Sequence, residues 1–195
     1  MSDSPTTPDA TARDRPPEVV PEDGWTPVEP PNLEGGRGSF VSGEPAEGRL
    51  RVCYFRRPED ERLVGRAWFG SGAEGPPAHA HGGAIAAVLD EAMGSAGWLA
   101  GYPVVAAHIE VDFRRMLPLG TDAFVEAWVE SVDGRKVRVR GRLSGEDREL
   151  FSSASGLFVI LDPERLGPHL GPVAEALGIE PEELLSRMRS AVSGS

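Results

Sequence analysis

The stretch His81-Gly82-Gly83-Ala84-Ile85-Ala86-Ala87-Val88-Leu89-Asp90 decides how the rest of the chain is read. Two glycines open an apolar run that predicts a buried helix over roughly residues 82–100, closed by Gly101 and Pro103. The first N–H groups of a helix have no partner inside it and attract negative charge. Asp90 falls in the middle of the run, where a carboxylate is hard to justify for packing. A carboxylate held in an apolar setting can serve as nucleophile or general base. Together the donor and the acid suggest a site that handles a carbonyl becoming an oxyanion.

At 100° per residue, Gly83, Ala86, Ala87, Asp90, Gly94 and Gly97 form one stripe. Ile85, Val88, Leu89, Ala92, Ala96 and Leu99 form another. One face is bulky and apolar, and the other is small enough for a second backbone to come close. Gly82 and Asp90 are separated by about 12 Å along a helix axis. A nucleophile and an oxyanion donor must both stand about 3 Å from the reacting centre. One helix does not supply both to one carbonyl, but two antiparallel copies would. The spacing therefore predicts a homodimer with two equivalent sites at its interface.

Strand patterns flank the helix. Leu50–Phe55 and Leu63–Phe69 precede it, joined by Pro58-Glu59-Asp60-Glu61 as a hairpin. Four more follow. Val104–Phe113 sets Ala107, Ile109, Val111 and Phe113 against Ala106, His108, Glu110 and Asp112. Ala123–Val132 sets Ala123, Val125, Ala127 and Val129 against Phe124, Glu126, Trp128 and Glu130. Val137–Leu143 alternates with Arg138, Arg140 and Arg142, and Phe151–Leu161 is almost unbroken apolar and small. Period-two alternation marks a sheet with one covered face. The expected architecture is α+β, with one long central helix wrapped by a curled antiparallel sheet of about six strands.

The 195 residues allow one domain with tails. Residues 1–38, rich in Pro, Asp, Thr and Glu, read as a disordered or loosely docked tail, with Trp25 and Val28 able to dock. Residues 39–162 form the domain, and 163–195 an extension with a short helix at Pro181–Met188, striped by Leu184, Leu185 and Met188. A net charge of −11 argues against a nucleic-acid partner. No apolar run is long enough for a membrane span, and no secretory signal is read, so the expected location is cytoplasmic. The lone Cys53 excludes an intramolecular disulfide and any multi-cysteine zinc site.

Gly75-Pro76-Pro77, His81-Gly82-Gly83 and Asp90-Glu91-Ala92-Met93-Gly94 resemble the hotdog-fold acyl-CoA thioesterases of the PaaI-like family and their animal mitochondrial relatives. The likeness runs from about Gly48 to Leu161. It includes Asp112-Phe113-Arg114-Arg115, Pro118-Leu119 and Asp133-Gly134-Arg135-Lys136. It implies a hotdog fold whose dimers pair edge to edge, with a homotetramer as the larger assembly. It implies hydrolysis of an acyl-CoA or acyl-carrier thioester, with water as acceptor and neither cofactor nor metal. Carried over, Gly82 N–H polarises the thioester carbonyl, Asp90 of the facing subunit attacks it or activates water, and His81 orients the thioester or the loop. Gly83 lines the substrate, and Arg114, Arg115, Arg135 and Lys136 are candidates for coenzyme A phosphates. The chain departs from some relatives in having Ala106 where they have Thr, and His108 where they tend to have Asn.

Plainer readings stand beside these. Asp90 could be paired with an arginine for structure. His79 reads as loop, and Cys53 as core packing. Arg138, Arg140 and Arg142 read as a solvated strand face. His108, Glu110 and Asp112 fit a solvated or subunit face better than a metal site. Two other functions stay open. A hydratase or dehydratase on pantetheine-linked acyl chains is disfavoured by the placement of Gly82-Gly83. A non-catalytic acyl-CoA sensor would have no need of an acid at 90.

Overall fold

The computed structural model describes residues 15–30, 39–42, 48–162, 167, 170–176 and 178–193. The remainder of the two tails lies outside the described residues. Seven strands make one antiparallel sheet: β1 (Thr26–Val28), β2 (Leu50–Arg56), β3 (Leu63–Phe69), β4 (Val104–Phe113), β5 (Asp122–Asp133), β6 (Lys136–Ser144) and β7 (Leu150–Ile160). Their order across the sheet is β1-β2-β3-β5-β6-β7-β4. Helix α1 (Gly82–Leu99) is the long central helix, and α2 (Leu170–Ala176) and α3 (Pro181–Ser193) follow the sheet. The expected six strands are β2 to β7. The seventh, β1, is three residues of the N-terminal stretch paired with β2.

The two stripes of α1 part as their side chains dictate. Ile85, Val88, Leu89, Ala92 and Ala96 are buried in the main core with Leu63, Val125, Val139, Leu143 and Phe158 from the sheet. Gly141 lets Leu89 and Met93 lie close to β6: a Cβ there would meet Met93 Cγ at 3.1 Å. The small stripe turns instead toward the β7–β4 side. A Cβ on Gly97 would meet Val104 Cγ2 at 2.7 Å, and one on Gly94 would meet Phe158 at 3.7 Å.

The outer face of the sheet is covered near β1. Trp25 is buried against Phe55 and Val64, with ring centroids 5.7 Å from Phe55 and 5.8 Å from Phe124. Cys53 is half-buried at the rim of this second cluster, outside the main core. Further along the same face, Glu126 is fully buried beneath Arg57, Arg62 and Arg142, with Arg62 4.3 Å above the Trp128 ring. Arg142 is thus an ion-pair partner, while Arg138 is exposed. On α3, Leu184 and Met188, one turn apart, are buried in the main core. Helix α2 was not expected, because Pro172 and Gly171 obscure its pattern. Among the described residues no helix is long and apolar enough to cross a membrane.

The ends of the sheet differ. One is closed by the short β1. The other is β4, ten residues long, hydrogen-bonded among the described residues to β7 alone. The ladder shifts between Ala106 and His108, so Ala107 is the extra residue of a bulge. The bulge corrects the simple alternation: Ala106, opposite buried Phe158, joins Ile109, Val111 and Phe113 on the inner face.

Candidate active site

The start of α1 is held by a tightly bonded loop. His81 N–H donates to Ala73 O at 2.8 Å, and Ala80 N–H to Leu117 O at 2.8 Å. Gly75 N–H donates to His79 O at 3.0 Å, and Leu119 N–H to Ala78 O at 3.0 Å. Gly75 lies so near His81 that a Cβ on it would stand 2.7 Å from His81 Cα. His81 is thereby fixed as the N-cap, with φ −65° and ψ 135°.

The cap decides which donor is left. His81 Nδ1 accepts the Gly83 N–H at 2.9 Å, and His81 O accepts the Ala84 N–H at 3.0 Å. Gly82 N–H, the first of the helix, makes no hydrogen bond among the described residues. Of the two glycines, Gly82 is therefore the one with a free donor, and Gly83 spends its own on the cap. With Nδ1 accepting, a neutral His81 carries its proton on Nε2.

Asp90 sits half-buried on the small stripe, whose Gly94 and Gly97 lie against Phe158 of β7 and Val104 of β4. Burial raises its pKa above the usual aspartate value. Glu91 is raised too, first by burial and then by the nearby Asp90 charge, against the lowering pull of the Ser42 and Tyr54 hydroxyls. The Tyr54 hydroxyl is pushed well up by burial and by Glu91. Glu91 and Tyr54 were not singled out in the sequence. A glutamate beside an aspartate on a helix reads as surface charge until Ser42 and Tyr54 are seen to pack on it.

The basic candidates fall into two groups. Arg114 and Arg115 follow Phe113 directly, and their N–H groups hold Phe151 O at 2.8 and 3.1 Å. The Arg114 guanidinium pairs with Asp112 at 3.0 Å. Phe113 lies against Gly82, so this pair is at the donor end of the site. Arg135 and Lys136 are at the far end of the same sheet: Lys136 pairs with Val159 and Phe113 with Ser152, about 23 Å apart along β7. Arg135 also spends two N–H groups on Ile160 O, at 2.9 and 3.2 Å. Within one chain the four do not converge.

Ala106 offers the inner face no hydroxyl, and His108, opposite Leu157 on the outer face, does not replace one. His108 shares that outer face with Glu110 and Asp112, and no group able to hold a metal is found among the described residues. His79 Nδ1 lies 2.8 Å from Pro77 O, in the loop.

A long helix wrapped by a curled antiparallel sheet, with a free donor at its start and an acid midway along it, defines a hotdog-fold domain. Residues 78–152 match the family model of the thioesterase superfamily. The acyl-coenzyme A thioesterase THEM4 of Xenopus laevis is 35% identical over 116 residues, which cover 58% of this chain and 52% of that protein. The chain thus spans about half the length of the curated relatives it matches. The solved thioesterase superfamily protein RHA08564 superposes with a TM-score of 0.54 at 29% identity, covering 56% of this chain and 53% of that one. The E. coli PaaI protein, from the phenylacetic acid degradation operon, shares the fold at a TM-score of 0.51 and 15% identity, covering 58% of this chain and 80% of its own.

Proposed function

We propose that the chain hydrolyses acyl-CoA thioesters at two equivalent sites of a homodimer, each made by Gly82 of one subunit and Asp90 of the other. The observation that carries this is the unpaired Gly82 N–H at the start of α1, on the same helix as a half-buried acid some 12 Å away. The first fits an oxyanion, the second fits an attacking group, and their separation calls for a second copy. The long, exposed edge of β4 is the surface through which two copies meet. The name of the Xenopus relative supplies the substrate class, acyl-coenzyme A.

The chemistry follows from these groups. The thioester oxygen accepts the Gly82 N–H. The partner's Asp90 takes a proton from water, whose oxygen adds to the carbonyl carbon, and the electron pair moves to the oxygen held by Gly82. Collapse restores the carbonyl and expels the thiolate, which takes the proton from Asp90. If Asp90 attacks directly, water cleaves the resulting anhydride instead. Neither route needs a metal or a cofactor. The single free cysteine suits a reducing compartment, the cytoplasm.

Thiol release over a panel of acyl-CoAs tests the reading. Asp90→Ala and Asp90→Asn should each lower kcat about 100-fold or more while ligand still binds. Wild-type turnover in either variant would remove Asp90 from the reaction. Tight binding without thiol release by the wild type would mark a sensor.

A further inference from the structure

Phe113 ends β4 on its inner face, and its ring lies against the helix start. A Cβ placed on Gly82 would stand 3.4, 3.5 and 3.9 Å from ring atoms Cζ, Cε1 and Cε2. Yet the residue is 56% exposed, which core packing alone does not explain for a phenylalanine. Across the ladder on the same inner face, Ser152 keeps a buried Oγ with no hydrogen-bond partner among the described residues.

The distances connect the ring to the reacting group. An oxygen bound to Gly82 N–H stands about 3 Å from the nitrogen. The carbonyl carbon and the acyl carbon next to it follow at about 1.2 and 1.5 Å bond lengths. That acyl carbon is then within about 6 Å of Gly82 N, and the Phe113 ring packs 3.4–3.9 Å from where a Gly82 Cβ would stand. The thiol side of the thioester is the same in every acyl-CoA, so clearance beside the ring distinguishes substrates only by what the acyl carbon carries. We propose that Phe113 is a specificity-determining residue that admits straight acyl groups and rejects those branched at the carbon next to the carbonyl. The proposal rests on the site described under Proposed function.

The test compares butanoyl-CoA with its isomer 2-methylpropanoyl-CoA in the wild type, Phe113→Ala and Phe113→Trp. The ratio is read as kcat/KM on the thioesters and as Kd on ketone analogues with a methylene in place of sulfur. One methyl group in a fitted pocket is worth about 10–200-fold. The wild type should favour the straight chain by at least about tenfold, Phe113→Ala should lower that ratio about tenfold, and Phe113→Trp should raise it. A ratio that stays within about twofold of the wild type in both variants, on the analogues as on the thioesters, overturns the proposal. Absence of thiol release from the wild type overturns the hydrolase reading instead, and the Kd ratio still decides the role of Phe113.

Discussion

A carboxylate half-buried on a helix is harder to ionise than one in water, and burial holds Asp90 above the ordinary aspartate value of 3.8. The penalty exists only in the folded chain. The stability linked to the neutral acid is fully present below pH 3.8 and is lost as pH rises through the raised value. Asp90→Asn should therefore melt higher than the wild type at pH 7, with the gap closing as pH falls toward 4, while losing activity. Thermal melts at the two pH values check it, and a lower melting point at pH 7 would show that Asp90 holds a stabilising ion pair. In the proposed mechanism the same group sets the acid side of the rate profile: activity should rise with pH through a value above 3.8. Glu91, also raised, is the rival for that limb. Glu91→Gln should leave the limb in place, and its disappearance in that variant would transfer the assignment to Glu91.

The loop before α1 acts as an element although it has little regular structure, because backbone hydrogen bonds tie it to itself, to Leu117 and Leu119, and to His81. Gly75→Ala should disturb the cap, since the new Cβ would meet His81 Cα at 2.7 Å and backbone cannot yield as a side-chain tip does. The expected result is a loss of kcat with β-sheet circular dichroism retained. Unchanged kcat would show that the cap tolerates displacement. On the outer face, Glu126→Ala would leave three arginines without their shared anion. Stripping one partner from a buried pair costs about 3–5 kcal/mol. The three arginines are between a fifth and just under half exposed, so water recovers part of the loss and urea unfolding should report a value at or below the lower end. This cluster marks the limit of sequence reading. Leu63–Phe69, Val104–Phe113 and the start of α1 were legible because alternation and the glycine pair are local signals. The burial of Glu126 is hidden in the sequence because its arginines come from the β2–β3 hairpin and from β6, far from it along the chain. Likewise β1 is too short to alternate, Phe113 was legible as a strand residue but not as the neighbour of Gly82, and the sequence separates Gly82 from Gly83 by resemblance alone, the physical reason being the His81 cap. Contacts between distant segments carry no periodic signature.

At the scale of the molecule, the proposed two-subunit site needs the free edge of β4. Antiparallel pairing about a twofold axis reverses one copy against the other. Such pairing carries Arg135 and Lys136, remote from Gly82 within their own chain, toward the Gly82 end of the partner. It also sets the acid of each helix opposite the donor of the other. Complementation between two inactive variants tests this arrangement without reference to any one residue's energetics. Asp90→Asn removes the acid. Gly82→Pro removes the N–H at the first helical position, where proline is tolerated, after a His81 whose ψ of 135° suits a following proline. Each homodimer alone should be inactive. After subunit exchange, half the dimers are mixed, and each mixed dimer unites one intact Gly82 with one intact Asp90 at one of its two sites, so the mixture should recover about a quarter of wild-type activity. If donor and acid of one subunit served the same carbonyl, no mixed dimer would contain a whole site. The mixture would then show no more activity than its two parents.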